Sequence, residues 1–156
     1  MYLLKFPMHP GTYFYSDADF DRAENFITVL DCVMTLFDRY VPGVPGQPLN
    51  IKIERSGESP ACYRNLREIH LNTELRYISQ AAYQFAHELC HMRIPFFVGE
   101  DLRWFEESVC EMASHFSSGS FPLNSQMKNT TTTPLCKDTL TNSVSTPRRS
   151  LKARRR

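Results

Sequence analysis

The feature that most constrains this chain is a five-residue segment, His87-Glu88-Leu89-Cys90-His91, inside a stretch whose apolar residues recur at helical spacing. On an α-helix, residues four apart lie about 40° from each other around the axis, so both imidazoles can reach one metal ion. Glu88 lies on the same side of the helix, where it could accept a proton from a water molecule on that metal. The segment therefore predicts a helix with two metal ligands, His87 and His91, and a catalytic base, Glu88.

A second segment, residues 104–111 with the sequence WFEESVCE, begins thirteen residues after His91. It resembles the W-L-N-E-G-F-A segment of gluzincin aminopeptidases, zinc metallopeptidases in which the Glu of this segment binds zinc. By this resemblance Glu107 is the third zinc ligand. Glu111, four residues later, resembles the second acidic residue of the gluzincin E-x-x-x-D/E pattern. The resemblance covers about residues 67–117 and is carried by the two motifs.

The chemistry of these residue types agrees with the resemblance. Two His and one carboxylate leave the fourth position of a tetrahedral zinc ion open for water, which is typical of catalytic sites. Glu111 lies one helical turn beyond Glu107 and could accept a hydrogen bond from the distal nitrogen of a zinc-bound His, which would orient the ring. Glu106 is the alternative ligand, although it points about 100° away from Glu107. Cys90 is a less favoured alternative for the same geometric reason.

The resemblance implies a zinc metallopeptidase with one zinc ion per chain and a peptide or protein substrate. Glu88 would activate the zinc-bound water for attack on the peptide carbonyl. Larger gluzincins also carry a second subdomain with a Tyr or His donor to the oxyanion, whereas residues 122–156 contain neither residue type. Tyr77, Tyr83 and His115 are weak candidates for that donor. The alternative function is therefore a catalytically inactive, zinc-stabilised interaction module.

Periodicity and turn residues predict three helices and two strands. The helices are expected from Ser16–Asp19 to about Tyr40, from between Thr73 and Ser79 to about Arg93, and from an N-cap at Asp101 to about Phe116. Alternating apolar residues predict strands over residues 49–54 and 67–73, and residues 56–65 are expected to form a loop. The resemblance implies an α+β, zincin-like fold, in which a small antiparallel or mixed sheet packs on the active-site helix and the following ligand helix. It also makes residues 68–73 the candidate edge strand for binding an extended substrate.

Charge divides the chain near residue 127. Residues 1–127 carry ten Lys and Arg against sixteen Asp and Glu, whereas residues 128–156 carry eight against one. We expect a metallopeptidase domain over residues 1–122 and a disordered, Ser- and Thr-rich basic tail over residues 123–156, because the tail shows no hydrophobic period. The tail could make weak contact with nucleic acid or an anionic surface, and a nucleic-acid binder is the third functional alternative.

The apolar runs of the chain are short. The first fourteen residues are interrupted by Lys5, Pro7, His9 and Pro10, so they do not resemble a signal peptide, and no stretch has the length of a membrane span. The five Cys form no C-x-x-C pair, which is typical of small buried apolar residues in a reducing compartment. The sequence therefore predicts a cytoplasmic protein.

Overall fold

The structure is a computed structural model that describes residues 2–16, 20–41, 47–54, 59–94 and 99–120. All of these residues belong to one compact unit of the chain. The tail predicted over residues 123–156 lies outside the described residues. Among the described helices, none combines the length and the apolar character that crossing a bilayer requires.

The described fold consists of three helices and one mixed sheet, which has five strands. The elements in chain order are β1 (Tyr2–Lys5), β2 (Thr12–Ser16), α1 (Phe20–Tyr40), β3 (Leu49–Ile53), β4 (Ala61–Tyr63), β5 (Glu68–Leu71), α2 (Ile78–Arg93) and α3 (Arg103–Ser120). The strand order is β1-β2-β3-β5-β4, with parallel pairing of β3 to both β2 and β5 and antiparallel pairing at the two outer pairs. The predicted α+β class with a mixed sheet is therefore confirmed.

The core lies between one face of the sheet and the helices. Alternate residues of β3 and β5 point into it, because successive side chains of a strand point to opposite faces. Helix α1 adds a stripe at helical spacing, as its periodicity predicts, and α2 buries the side opposite its His residues. The fully buried large side chains are Phe6, Phe14, Phe26, Leu30, Val33, Phe37, Leu49, Ile51, Ile69, Leu71, Phe85 and Leu89.

The expected loop over residues 56–65 is wrong in part, since Ala61–Tyr63 forms β4 and pairs with β5. The turn between the two strands includes Arg67 at a φ of 55°, a left-handed conformation that sequence patterns rarely signal for arginine. The assignment of residues 68–73 as an edge strand is also wrong, because β5 ends at Leu71 and lies between β3 and β4. Strand β4 is too short to show a period, which is why the sequence did not predict it.

The N-terminal strands and the start of α3 also differ from expectation. Strands β1 and β2 form a hairpin around the prolines that interrupt the first fourteen residues. A 3-10 turn, Glu100–Leu102, precedes α3, so Asp101 lies within that turn and does not cap α3. Helix α3 continues to Ser120, one turn beyond the predicted end.

Candidate metal centre

Helices α2 and α3 pack along each other and bring the two sequence motifs together. The apolar stripe of α2 is buried in the core, so His87 and His91 face away from it toward α3. They line a cleft of about 1020 Å³, together with residues from β4, the β4–β5 turn and α3. The candidate ligands are therefore open to the cleft.

Three ligand atoms converge in this cleft. The Nε2 atoms of His87 and His91 lie 3.2 Å apart, and Glu107 Oε2 lies 3.2 Å from the first and 3.5 Å from the second. A tetrahedral zinc ion with ligands at about 2.0–2.1 Å requires its ligand atoms to be about 3.3 Å apart. These three atoms therefore fit three corners of such a tetrahedron, and the residues present can hold zinc.

The other ring nitrogens face two further carboxylates. Glu106 Oε1 lies 2.7 Å from His91 Nδ1, and Glu111 Oε2 lies 3.5 Å from His87 Nδ1. A carboxylate on the distal nitrogen fixes the tautomer and orientation of a metal-binding His. Glu106, the alternative ligand of the sequence analysis, thus contacts the side of His91 that faces away from the converging atoms.

Arg64, in the β4–β5 turn, holds Glu106 in place through an ion pair between its guanidinium and Oε1. Burial opposes the charge of Glu106, but the contacts with His91 and Arg64 outweigh it and lower the pKa of this carboxyl. Arg64 is 42 positions from Glu106 in the sequence. Sequence reasoning missed Arg64, because no local pattern links the two residues.

Glu111 is held from the other side. The hydroxyl of Tyr83 donates a hydrogen bond to Glu111 Oε1, and His115 Nε2 lies 3.5 Å from the same oxygen. This hydrogen bond is the main reason that the pKa of Tyr83 is raised to about 12. Tyr83 lines the cleft but commits its proton to Glu111, whereas Tyr77 is exposed beside Arg76. Of the three weak donor candidates, Tyr83 alone lines the cleft.

Glu88 is almost fully covered, with 6% of its surface exposed, yet it lines the cleft. Burial raises the pKa of this carboxyl to about 7, the positive character of His87 lowers it, and the charge of Glu107 raises it again. A carboxyl group that titrates near neutrality can both accept and return a proton. Glu88 thus lines the same cleft as His87, His91 and Glu107 and carries a carboxyl group of this kind.

Cys110 forms a second possible ligand set with the two His residues. Its Sγ atom and a ring nitrogen of each of His87 and His91 all lie within 4.8 Å of one another. Cys110 is fully buried beneath the site, where its contact with Cys90 and its burial raise the pKa of its thiol. The sequence analysis named Cys90 as the cysteine alternative, whereas the His pair lies near Cys110. The position of Cys110, three residues after Glu107 on the same helix, is the sequence signal that could have identified Cys110 as a candidate ligand.

Comparisons with known proteins add no identification. The chain matches no protein-family model, no curated protein and no solved structure. Functional inference therefore depends on the two motifs and on the contacts that the fold creates around them.

Proposed function

We propose that this chain is a zinc-dependent hydrolase, a small zincin-like metallopeptidase of the gluzincin type. The supporting observation is the convergence of His87 Nε2, His91 Nε2 and Glu107 Oε2 at separations of 3.2–3.5 Å. Each of these separations is also that of a hydrogen bond, so the support comes from the mutual closeness of all three ligand atoms, which one metal ion would use together. The cleft beside these atoms gives a substrate access to them.

Each residue of the site has a distinct task in this proposal. His87, His91 and Glu107 would hold zinc, which when bound supplies a Lewis acid that acidifies water and polarises a carbonyl group. Glu88 accepts the proton of the attacking water and returns it to the leaving nitrogen. Glu106 orients the imidazole of His91, and Glu111 that of His87, each by contact with the Nδ1 atom of the ring.

The substrate would lie along β4. Among the described strands β4 pairs only with β5, and Cys62 and Tyr63 of β4 line the cleft. An extended peptide could add to the free edge of this strand through backbone hydrogen bonds, which position a scissile bond without specifying its side chains. The proposed substrate-binding strand is therefore β4, whereas the sequence analysis assigned the substrate to residues 68–73, which contain β5.

Metal content tests the ligand set. The chain, purified without chelators, is analysed by mass spectrometry beside Glu107→Ala and Glu100→Ala. Glu100 is a matched control, because it is an exposed carboxylate of the same cleft that makes no contact with the His pair. We expect about one zinc per chain in the wild type and in Glu100→Ala, and much less in Glu107→Ala. A folded wild type without metal would overturn the proposal.

Substitution of Glu88 by Gln tests hydrolysis separately from metal binding. The amide keeps the shape of the side chain but cannot accept the proton, so we expect cleavage of a quenched fluorescent peptide library to fall by about 10²–10⁴-fold. Zinc content and the thermal unfolding midpoint should stay close to the wild-type values. Undiminished cleavage would remove Glu88 from the role of base.

A second candidate function follows from the position of Cys110. If its thiolate occupies the remaining corner of the tetrahedron, the site is closed and zinc is structural, as expected of an inactive, zinc-stabilised interaction module. Cobalt(II) substitution distinguishes the two, because a cobalt–thiolate bond gives an intense charge-transfer absorption in the near ultraviolet. We expect the wild type to lack this band and to resemble Cys110→Ala. A band that disappears in Cys110→Ala would favour the closed site.

A further inference from the structure

A second pocket, of about 220 Å³, shares no lining residue with the cleft that contains His87 and His91, called the metal cleft below. It lies where the β1–β2 turn, α1, the start of β3, the β4–β5 turn and the end of α2 meet. Arg67 and Arg93 both line it, and Met34, Leu89 and Met92 give it an apolar wall. Two guanidinium groups beside one pocket are an unusual arrangement, since like charges repel each other most strongly where water is partly excluded.

Arg93 is neutralised by the chain itself. Its guanidinium donates to Asp38 Oδ1 at 2.5 Å, and the other oxygen of Asp38 lies 3.0 Å from His9 Nε2. His9 is in turn paired through Nδ1 with the buried carboxylate of Asp31, also at 2.5 Å. Asp38 and His9 line the pocket themselves, and the carboxylate of Asp38 is already engaged by both Arg93 and His9.

Arg67 has no such partner within the part of the chain that the structure describes. Its Nε donates to the carbonyl oxygen of Pro48 at 3.2 Å, and no described carboxylate lies within ion-pair distance of its guanidinium. Burial and the nearby charge of Arg93 both lower the pKa of Arg67. An anion placed between Arg67 and the pocket wall would remove this unfavourable electrostatic energy.

We propose that this pocket binds a compact oxyanion, a phosphate or carboxylate group, through the guanidinium of Arg67, with Arg93 beside it. The planar fork of Arg matches two oxygens of either group. The volume corresponds to about seven water molecules at roughly 30 Å³ each, which exceeds the need of a bare anion. The ligand would therefore carry a short apolar part, placed against the methionine and leucine side chains.

Binding of inorganic phosphate and of acetate tests the proposal. Calorimetric titration and thermal unfolding are followed at constant ionic strength, with chloride as the reference salt. We expect at least one of the two anions to bind the wild type with a stoichiometry near one, and which one binds identifies the ligand chemistry. In Arg67→Gln the dissociation constant should rise at least about tenfold.

Arg76→Gln is the matched control, because Arg76 is an exposed arginine paired with Glu74 and does not line the pocket. It should bind the anion as the wild type does. Binding that a chelator abolishes but Arg67→Gln leaves unchanged would assign the anion to the metal cleft and overturn the proposal. So would the absence of binding of both anions to the wild type, a result that needs no variant to fold.

Discussion

Among the clusters of His and carboxylate groups in the described part of the chain, the one around His87 and His91 and the one around His9 differ in where their ring nitrogens point. At the candidate metal centre, two imidazoles turn their Nε2 atoms toward each other and toward Glu107. In the second cluster, His9 has both nitrogens occupied, Nδ1 by Asp31 and Nε2 by Asp38. The first cluster has three atoms that converge on one point, and the second consists of separate pairs.

Contact between His and acidic groups is not by itself evidence of a metal site. A metal needs lone pairs that converge, whereas a structural network uses each nitrogen for its own hydrogen bond. The second cluster ties the β1–β2 turn to α1 and α2, since Asp31 also accepts the backbone N–H of Met8 and Asp38 pairs with Arg93. We therefore expect the first cluster to bind metal and the second to stabilise the fold.

The sharpest test of this contrast replaces one His in each cluster. His91→Ala removes a converging nitrogen, so we expect zinc affinity to fall by more than the roughly 100-fold that follows loss of an orienting partner. His9→Ala should leave zinc affinity unchanged, although it weakens the fold. Competition with a chromophoric chelator measures both, and equal losses in the two variants would contradict the distinction.

A smaller effect is expected from the carboxylates behind the imidazoles. Glu106→Gln keeps the shape but removes the charge that faces His91 Nδ1, and zinc affinity should fall by about 10- to 100-fold. Asp38→Asn makes the matched change beside His9 and should leave zinc affinity as it is. If Glu106→Gln binds zinc as tightly as the wild type, Glu106 does not orient the ring.

Asp31 and Asp38 should differ in their effect on stability. Asp31 is 2% exposed and accepts hydrogen bonds from the backbone N–H of Met8 and from His9. Asp31→Ala leaves both donors without this acceptor, so it should lower the free energy of unfolding by about 1–3 kcal/mol. The side chain of Asp38 is 32% exposed, so water can take its place beside Arg93 and His9, and Asp38→Ala should lower the free energy of unfolding by less than Asp31→Ala does. Urea unfolding of both variants measures the difference, and the reverse order would contradict the contact analysis.

The smallest expected effect is a pH dependence of stability that comes from His9. Burial disfavours the protonated ring, but Asp31 and Asp38 outweigh burial and raise the pKa of His9 above 6.5. A raised folded-state pKa stabilises the fold fully below the unfolded pKa, and this contribution is lost as the pH rises through the folded pKa. The difference in free energy of unfolding between the wild type and His9→Gln should therefore be largest below the unfolded pKa of about 6.5 and shrink as the pH rises above it. A gap that is constant with pH would exclude this linkage.

The elements with a long period were predictable from the sequence. Helix α1, helix α2 with its two His residues, and strand β3 repeat their apolar residues often enough to show a pattern, and the confirmed α+β class follows from them. The short strand β4 carries too few residues for a period, and β1 and β2 are divided by prolines. The edge strand was therefore assigned to residues 68–73, although β5 is internal.

The sequence by itself placed His87, Glu88 and His91 on one helix and a row of acidic residues on the next, because helical geometry fixes the directions of neighbouring side chains. Only the tertiary structure decided that Glu107 turns toward both Nε2 atoms, that Glu106 meets the far side of His91, and that Cys110 lies beneath them. It likewise placed Arg67 near Arg93. The physical reason is that these contacts depend on the packing of elements far apart in the chain, and a local pattern carries no information about that packing.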